Sequence, residues 1–276
     1  MEIKKIELFS GFSKFVDLFL DSQAETAPYI LLSASGLDPA EISNMLFAVG
    51  PVSGANLFQF ALPPREIVLT IKLNPRPGQG ETASSLRQNL YRLIGPTRTG
   101  QIQARFVGAA NVLHAYIYGV VKRVETQQTD NSQIVQLTIL CDYPLLRNTE
   151  VDVYTVGMSK TALVITDTES TAPHGLKLHV KFTGSVSSFQ INAGTDAPFR
   201  VNYDFAVNDI LYISSNQWDK YIYVYDASAS NNVYLGAAMT AGSVWPLVFP
   251  GVNTYTINTS AYTFEKFAHY PTFWGI

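Results

Sequence analysis

Charge is what this sequence has least of. Only 15% of its 276 residues are Asp, Glu, Lys or Arg, against a usual share of about a quarter. A surface so poor in charge must rely on Ser, Thr, Asn and Gln or be covered by partners, which favours an assembly component over a free cytosolic enzyme. Neither sign dominates. A formal net charge of -3 and a pI near 5.8 exclude a general electrostatic attraction to nucleic acid or to acidic membranes. No basic patch of the kind that sequence-specific DNA binding needs is found. Cysteine is nearly absent too: Cys141 is the one thiol, so no internal disulfide can form. It ends the apolar run 134–141 and is expected to be a buried structural residue. No apolar run approaches the roughly 18 to 20 residues of a membrane helix, so no membrane insertion is expected. The opening MEIKKIELFSGF lacks the unbroken apolar core of a secretory signal, which points to synthesis and assembly in a cytoplasm. No internal repeat or low-complexity tract occurs.

What the chain does have is apolar and aromatic residues, 47% and 12% respectively, enough for a sizeable core. Its length allows one large all-β domain or two ordinary ones. The first 50 or so residues carry no regular period. From Arg65 the pattern clears: Ile67, Leu69, Ile71 and Leu73 alternate, predicting a half-buried strand. A Pro- and Gly-rich loop, 74–80, follows. Leu86, Leu90 and Leu93 then fall at helical spacing over 84–94, with Gly95-Pro96 as a stop. Ile102, Ala104 and Phe106 begin the strand pattern again. The runs 112–125 and 134–141 predict a hairpin whose polar connection is 126–132. Beyond Val151 strands recur about every 8 to 12 residues, as in a sandwich or barrel. Strands are expected at 176–182, 186–192, 199–203, 210–215 and 221–226, with a closing strand at 254–258. The fold expected is therefore mainly β: an N-terminal α+β domain, 1–147, of barrel or sheet with one helix and hairpins, then a β-sandwich, 148–276.

Motifs that carry chemistry are few. His174 and His179 are five apart, which on one strand sends them to opposite faces, and His179 beside Lys177 and Lys181 reads as solvent-exposed. Asp167 with Glu169, and Glu150 with Asp152, are carboxylates two apart that read as surface or turn residues. No nucleophile elbow, P-loop or Cys/His pair is present, and Gly78-Gln-Gly80 lacks the rest of a phosphate loop. No catalytic residue, metal or cofactor is expected. Tyr221, Tyr223 and Tyr225 line one strand face, as a sugar-stacking row would or as packing under a second sheet or a neighbouring subunit would. Trp245, Pro246, Pro250 and Gly251 mark a corner in which the tryptophan ring is expected to be buried.

Four phrases, in order, resemble the distal tail proteins of long-tailed, non-contractile bacteriophages. They are the strand 64–73 with the helix phrase Arg87-Gln-Asn-Leu-Tyr-Arg-Leu-Ile94; the segment 135–146 with its proline exit; 184–192 through 208–213; and Val244-Trp-Pro-Leu-Val-Phe-Pro-Gly-Val-Asn253. The resemblance spans positions 60 to 276. It implies a second domain of galectin-like shape and a ring, usually of six copies, at the tail tip. N-terminal domains would join side by side around a channel that DNA passes without specific binding. One face would meet the tail tube protein and the other the central tail-tip protein. It also implies a virion location and a structural role rather than an enzymatic one. Subunit contacts are expected on the 74–80 loop and the 117–136 hairpin, at Asn74, Arg76, Gln79, Arg123, Gln128 and Asn131. Two rival readings stand beside it. One is a carbohydrate-binding accessory module for host attachment that uses the tyrosine row; the other is a hydrolase using Asp167, Glu169 and Asp204.

Overall fold

The computed structural model describes residues 3–10, 13–20, 26–39, 43–48, 55–94, 101–108, 112–129, 132–153, 162–193 and 197–276. The chain divides into two compact units, residues 1–148 with 274–276 and residues 149–273. Both are built from strands, as the alternating patterns require.

The first unit contains β1 (Lys5–Ser10), β2 (Ser13–Phe19), β3 (Tyr29–Ser35), β4 (Ser43–Ala48), β5 (Ala55–Ala61), β6 (Arg65–Leu73), α1 (Ala83–Ile94), β7 (Ile102–Val107), β8 (Leu113–Thr129), β9 (Ser132–Cys141) and β10 (Leu146–Arg147). β4 and β5 form a hairpin of their own. The order β8-β7-β1-β2-β3-β6-β9, with β8 also paired to β9, closes seven strands into a barrel. β8 achieves this by its length: residues 113–119 pair with β7 and residues 120–129 with β9. Among the described residues of the barrel only β2 and β3 run parallel, meeting at the single pair Phe19 and Ile30. Alternation fills the interior: Ile6, Leu8, Ile67, Leu69, Ile71, Val135, Leu137, Ile139 and Cys141 are fully buried. Burial pushes the Cys141 thiol up to about 12, against the opposing pull of Arg65.

The polar stretch expected to be a turn, 126–132, is mostly strand, because the ladder continues to Thr129 opposite Ser132. Only positions 130 and 131 separate the two strands. Polarity alone does not break a strand that has a partner to pair with. Helix α1, the one α-helix among the described residues, starts at a reciprocal cap. The Ser85 amide donates to Thr82 Oγ1 at 3.1 Å and the Thr82 amide to Ser85 Oγ at 3.0 Å, a capping box with Ser in the usual Glu position. Its buried stripe is Leu86, Leu90 and Ile94. The expected third member, Leu93, is only half-buried. α1 packs on β6, and the Tyr29 hydroxyl donates to the Leu86 carbonyl at 3.0 Å. Gly95-Pro96 lies outside the described residues.

The second unit contains β11 (Val151–Asp152), β12 (Ala162–Asp167), β13 (His174–Phe182), β14 (Val186–Ala193), β15 (Phe199–Phe205), β16 (Ile210–Ser214), β17 (Tyr221–Asp226), β18 (Asn231–Tyr234), β19 (Leu247–Val248), β20 (Gly251–Ile257), β21 (Tyr262–His269) and β22 (Thr272–Phe273). One sheet has the order β11-β21-β13-β16-β17-β18, with β19 added to β13; the other is β12-β20-β14-β15. The pairs along both are antiparallel. The sheets enclose one core, with Leu176, Leu178, Val180 and Phe182 from the first and Leu163, Phe189, Val201 and Tyr255 from the second. Within it the rings of Phe182 and Phe205 stack at 4.2 Å.

Candidate assembly surfaces and a buried Asp-His-His cluster

The polar groups of the 74–80 loop are tied within the first unit. Asn74 Nδ2 donates to the Ala27 carbonyl at 3.0 Å, and the Asn74 amide to the Pro28 carbonyl at 2.9 Å. Arg76 Nη1 reaches the Thr26 carbonyl at 3.0 Å while its Nε donates to Glu81 Oε2 at 2.7 Å. Residues Pro77–Gln79 make one 3-10 turn, ended by Gly80 at φ 70°, a left-handed value that suits glycine. Asn74 and Arg76 therefore shape the loop, and exposed Gln79 is the side chain it presents. On β8, Arg123 is exposed and ion-paired with Glu125. The Gln128 backbone pairs with Gln133; the Gln128 side chain and Asn131 lie outside the described residues.

The Trp245 corner is held from inside. The indole is half-buried rather than enclosed, 4.9 Å from the Phe199 ring, with Lys220 Nζ 5.0 Å over its face. Pro246 is buried, and its carbonyl accepts from Ser215 Oγ at 2.6 Å. Gly251 takes φ 97°, where a Cβ would be strained. Asn253 closes the turn: its Nδ2 donates to the carbonyls of Phe249 at 2.7 Å and Gly251 at 3.1 Å, and its Oδ1 accepts from the Phe249 amide at 2.8 Å. Tyr255 Oη, donating to the Leu247 carbonyl at 2.7 Å, locks the segment to β20.

The tyrosine row runs across strands as well as along one. Tyr223 stacks on Tyr212 at 4.7 Å and 14°, and Tyr212 meets His179 at 4.7 Å. Tyr223 is also in register with Tyr234, which is 74% exposed. Tyr221 and Tyr223 meet at a tilt, 5.5 Å apart, and Tyr221, Tyr223 and Tyr225 are each half-buried. His179, expected in solvent, is half-buried because Tyr212 covers it. Among the carboxylates, Glu150 is ion-paired with Lys266 and lies 3.5 Å from Lys177, while Asp204 and Glu169 are exposed on separate segments.

Asp167 departs furthest from its expected place. It is a turn residue but not a surface one, being only 4% exposed. Its Oδ1 accepts from the Glu169 and Ser170 amides at 3.1 Å each, the arrangement of an Asx turn. Its Oδ2 faces His174 Nε2 at 3.7 Å, and His174 Nε2 lies 2.8 Å from His269 Nδ1. Burial pushes His174 down and His269 down to about 4, so both imidazoles are neutral near pH 7. For Asp167 burial acts upward, but hydrogen bonds from Ser170 and Glu169, with His174 beside it, leave the carboxyl below its usual value. Sequence spacing compared His174 with His179; its real partner, His269, is 95 residues away. Strand alternation carries no signal for that meeting.

Residues 169–269, within the second unit, match the family model described as "Siphovirus-type tail component, C-terminal domain". The fold of the whole chain is similar to that of the SPP1 Dit (gp 19.1) protein, described as a paradigm of the hub adsorption apparatus in phages infecting Gram-positive hosts. The TM-score is 0.66 at 16% identity, over 97% of this chain and 99% of that one. The phage p2 baseplate in its activated conformation with Sr gives a TM-score of 0.45 at 10% identity, over 96% of this chain and 97% of that one. The same baseplate with Ca gives 0.41 at 8%, over 93% and 98%. Among curated proteins none matches the chain. The resemblance to distal tail proteins thus holds by sequence in the second unit and by fold along the chain.

Proposed function

We propose that this chain is a structural virion protein that forms a ring of six copies at the distal end of a siphophage tail. The first unit makes the ring; the tail tube protein docks on one face, the central tail-tip protein on the other, and DNA passes through the channel without specific binding. The observation that carries this reading is the tail-component match over residues 169–269, in a chain whose length follows the Dit fold. Its work is geometric rather than catalytic, and assembly takes place in the host cytoplasm. A ring of identical chains needs a heterologous interface that closes on itself, which suits a surface poor in charge. Gln79 and Arg123, with Gln128 and Asn131 as the sequence suggests, are the contacts offered; Asn74 and Arg76 hold the loop that presents Gln79. The glycan-binding alternative draws on the tyrosine row, in which Tyr223 already stacks on Tyr212.

Light scattering after size exclusion, with negative-stain imaging of the full-length protein, tests the proposal. The expected result is a closed ring with about six times the chain mass. A monomer at every concentration, alone and mixed with its tail tube protein, would overturn it.

A further inference from the structure

We propose that Asp167, His174 and His269 bind a divalent transition metal of the zinc type that ties the two sheets of the second unit together. His174 fixes the chemistry of the cluster. Its Nδ1 is 3.1 Å from the Ala172 carbonyl; a carbonyl cannot donate, so Nδ1 carries the proton and Nε2 presents a lone pair. That lone pair faces His269 Nδ1 and Asp167 Oδ2. The second of these is a buried carboxylate oxygen with no hydrogen-bond partner, on a side chain only 2% exposed. The three ligand atoms lie within 4.8 Å of one another.

A buried anionic oxygen turned toward a nitrogen lone pair is unfavourable unless a cation stands between them. A proton shared by the two histidines satisfies the nitrogens but leaves Oδ2 unpaired, whereas a metal ion satisfies all three groups at once. Two imidazole nitrogens and one carboxylate oxygen suit zinc, and suit poorly the all-oxygen demands of calcium or magnesium. The remaining contacts are those a metal site uses to orient its ligands: Nδ1 of His174 bonded to a backbone carbonyl, and Asp167 Oδ1 held by two amides. Zinc-nitrogen bonds of about 2.0 to 2.1 Å in a tetrahedron separate two nitrogens by roughly 3.3 Å. The 2.8 Å between the histidines therefore widens by about half an ångström when the ion is seated. Asp167 ends β12 in one sheet, while His174 opens β13 and His269 closes β21 in the other. The ion would act as a staple across the sandwich.

The test uses untagged, full-length protein. It is expected to carry about one zinc per chain by elemental analysis. After stripping with a chelator, added zinc should raise the melting temperature by on the order of 5 to 10 °C when free zinc is about a hundred times the dissociation constant. Asp167→Asn and His269→Gln should still melt cooperatively yet lose both the zinc and the zinc-dependent shift; His179→Gln, outside the cluster, should keep both. If the wild type holds no zinc as purified and none after titration, the proposal fails. It fails equally if the shift survives in Asp167→Asn and His269→Gln.

Discussion

Asn253 shows how one amide can fix a corner that larger residues only fill. Its three hydrogen bonds span Phe249 to Gly251, and Asn253→Ala removes all three at once from a part-buried turn. The expected loss is about 2 kcal/mol of second-unit stability, read from urea unfolding. Trp245→Ala should cost about 2 kcal/mol, below the roughly 3 to 5 of an enclosed aromatic, because the indole is only half-buried. At this scale the sequence showed the corner, since Pro250 and Gly251 restrict and permit the backbone in ways visible in the text of the chain. It did not show Asn253 as the closing residue or Asp167 as a buried one. Alternation tells which face a residue takes, and says nothing of what arrives opposite it from far along the chain.

Strands and the helix were legible where a period repeats. β6, β17 and α1 lie within a residue or so of their expected bounds, because apolar alternation and a leucine stripe each bury one face. β1 to β3 escaped notice: their runs are short and interrupted, and they become strands by pairing with partners up to a hundred residues away. The 117–136 hairpin, expected to carry subunit contacts, is long because β8 serves two neighbours in the barrel. The cap of α1 can be tested alone, and Thr82→Ala should cost about 1 kcal/mol in first-unit stability by the same urea assay. Cys141, sealed in β9 with its thiol pushed up to about 12, offers a reporter for the barrel. A thiol reagent at pH 8 should leave the native protein unmodified over hours and label it stoichiometrically in urea; rapid labelling without denaturant would contradict its enclosure.

On the scale of the molecule, the two cores are separate clusters of side chains, and each has its own set of sensitive positions. A charge reversal on the outside of the barrel should act on assembly alone. Arg123→Glu is expected to leave the melting temperature within about 1 °C of wild type, as surface substitutions do, while reducing the ring fraction in light scattering. An unchanged ring would remove Arg123 from the interface. The barrel also has a thin place: among the described residues, β2 and β3 share one pair, Phe19 with Ile30, whereas β8 and β9 are laddered along ten residues of β8. Amide deuterium uptake should therefore be uneven around the barrel, fastest along the facing sides of β2 and β3 and slowest in β9. The first unit would then have a built-in slit, one line along which its barrel can part and reseal while the other ladders stay shut.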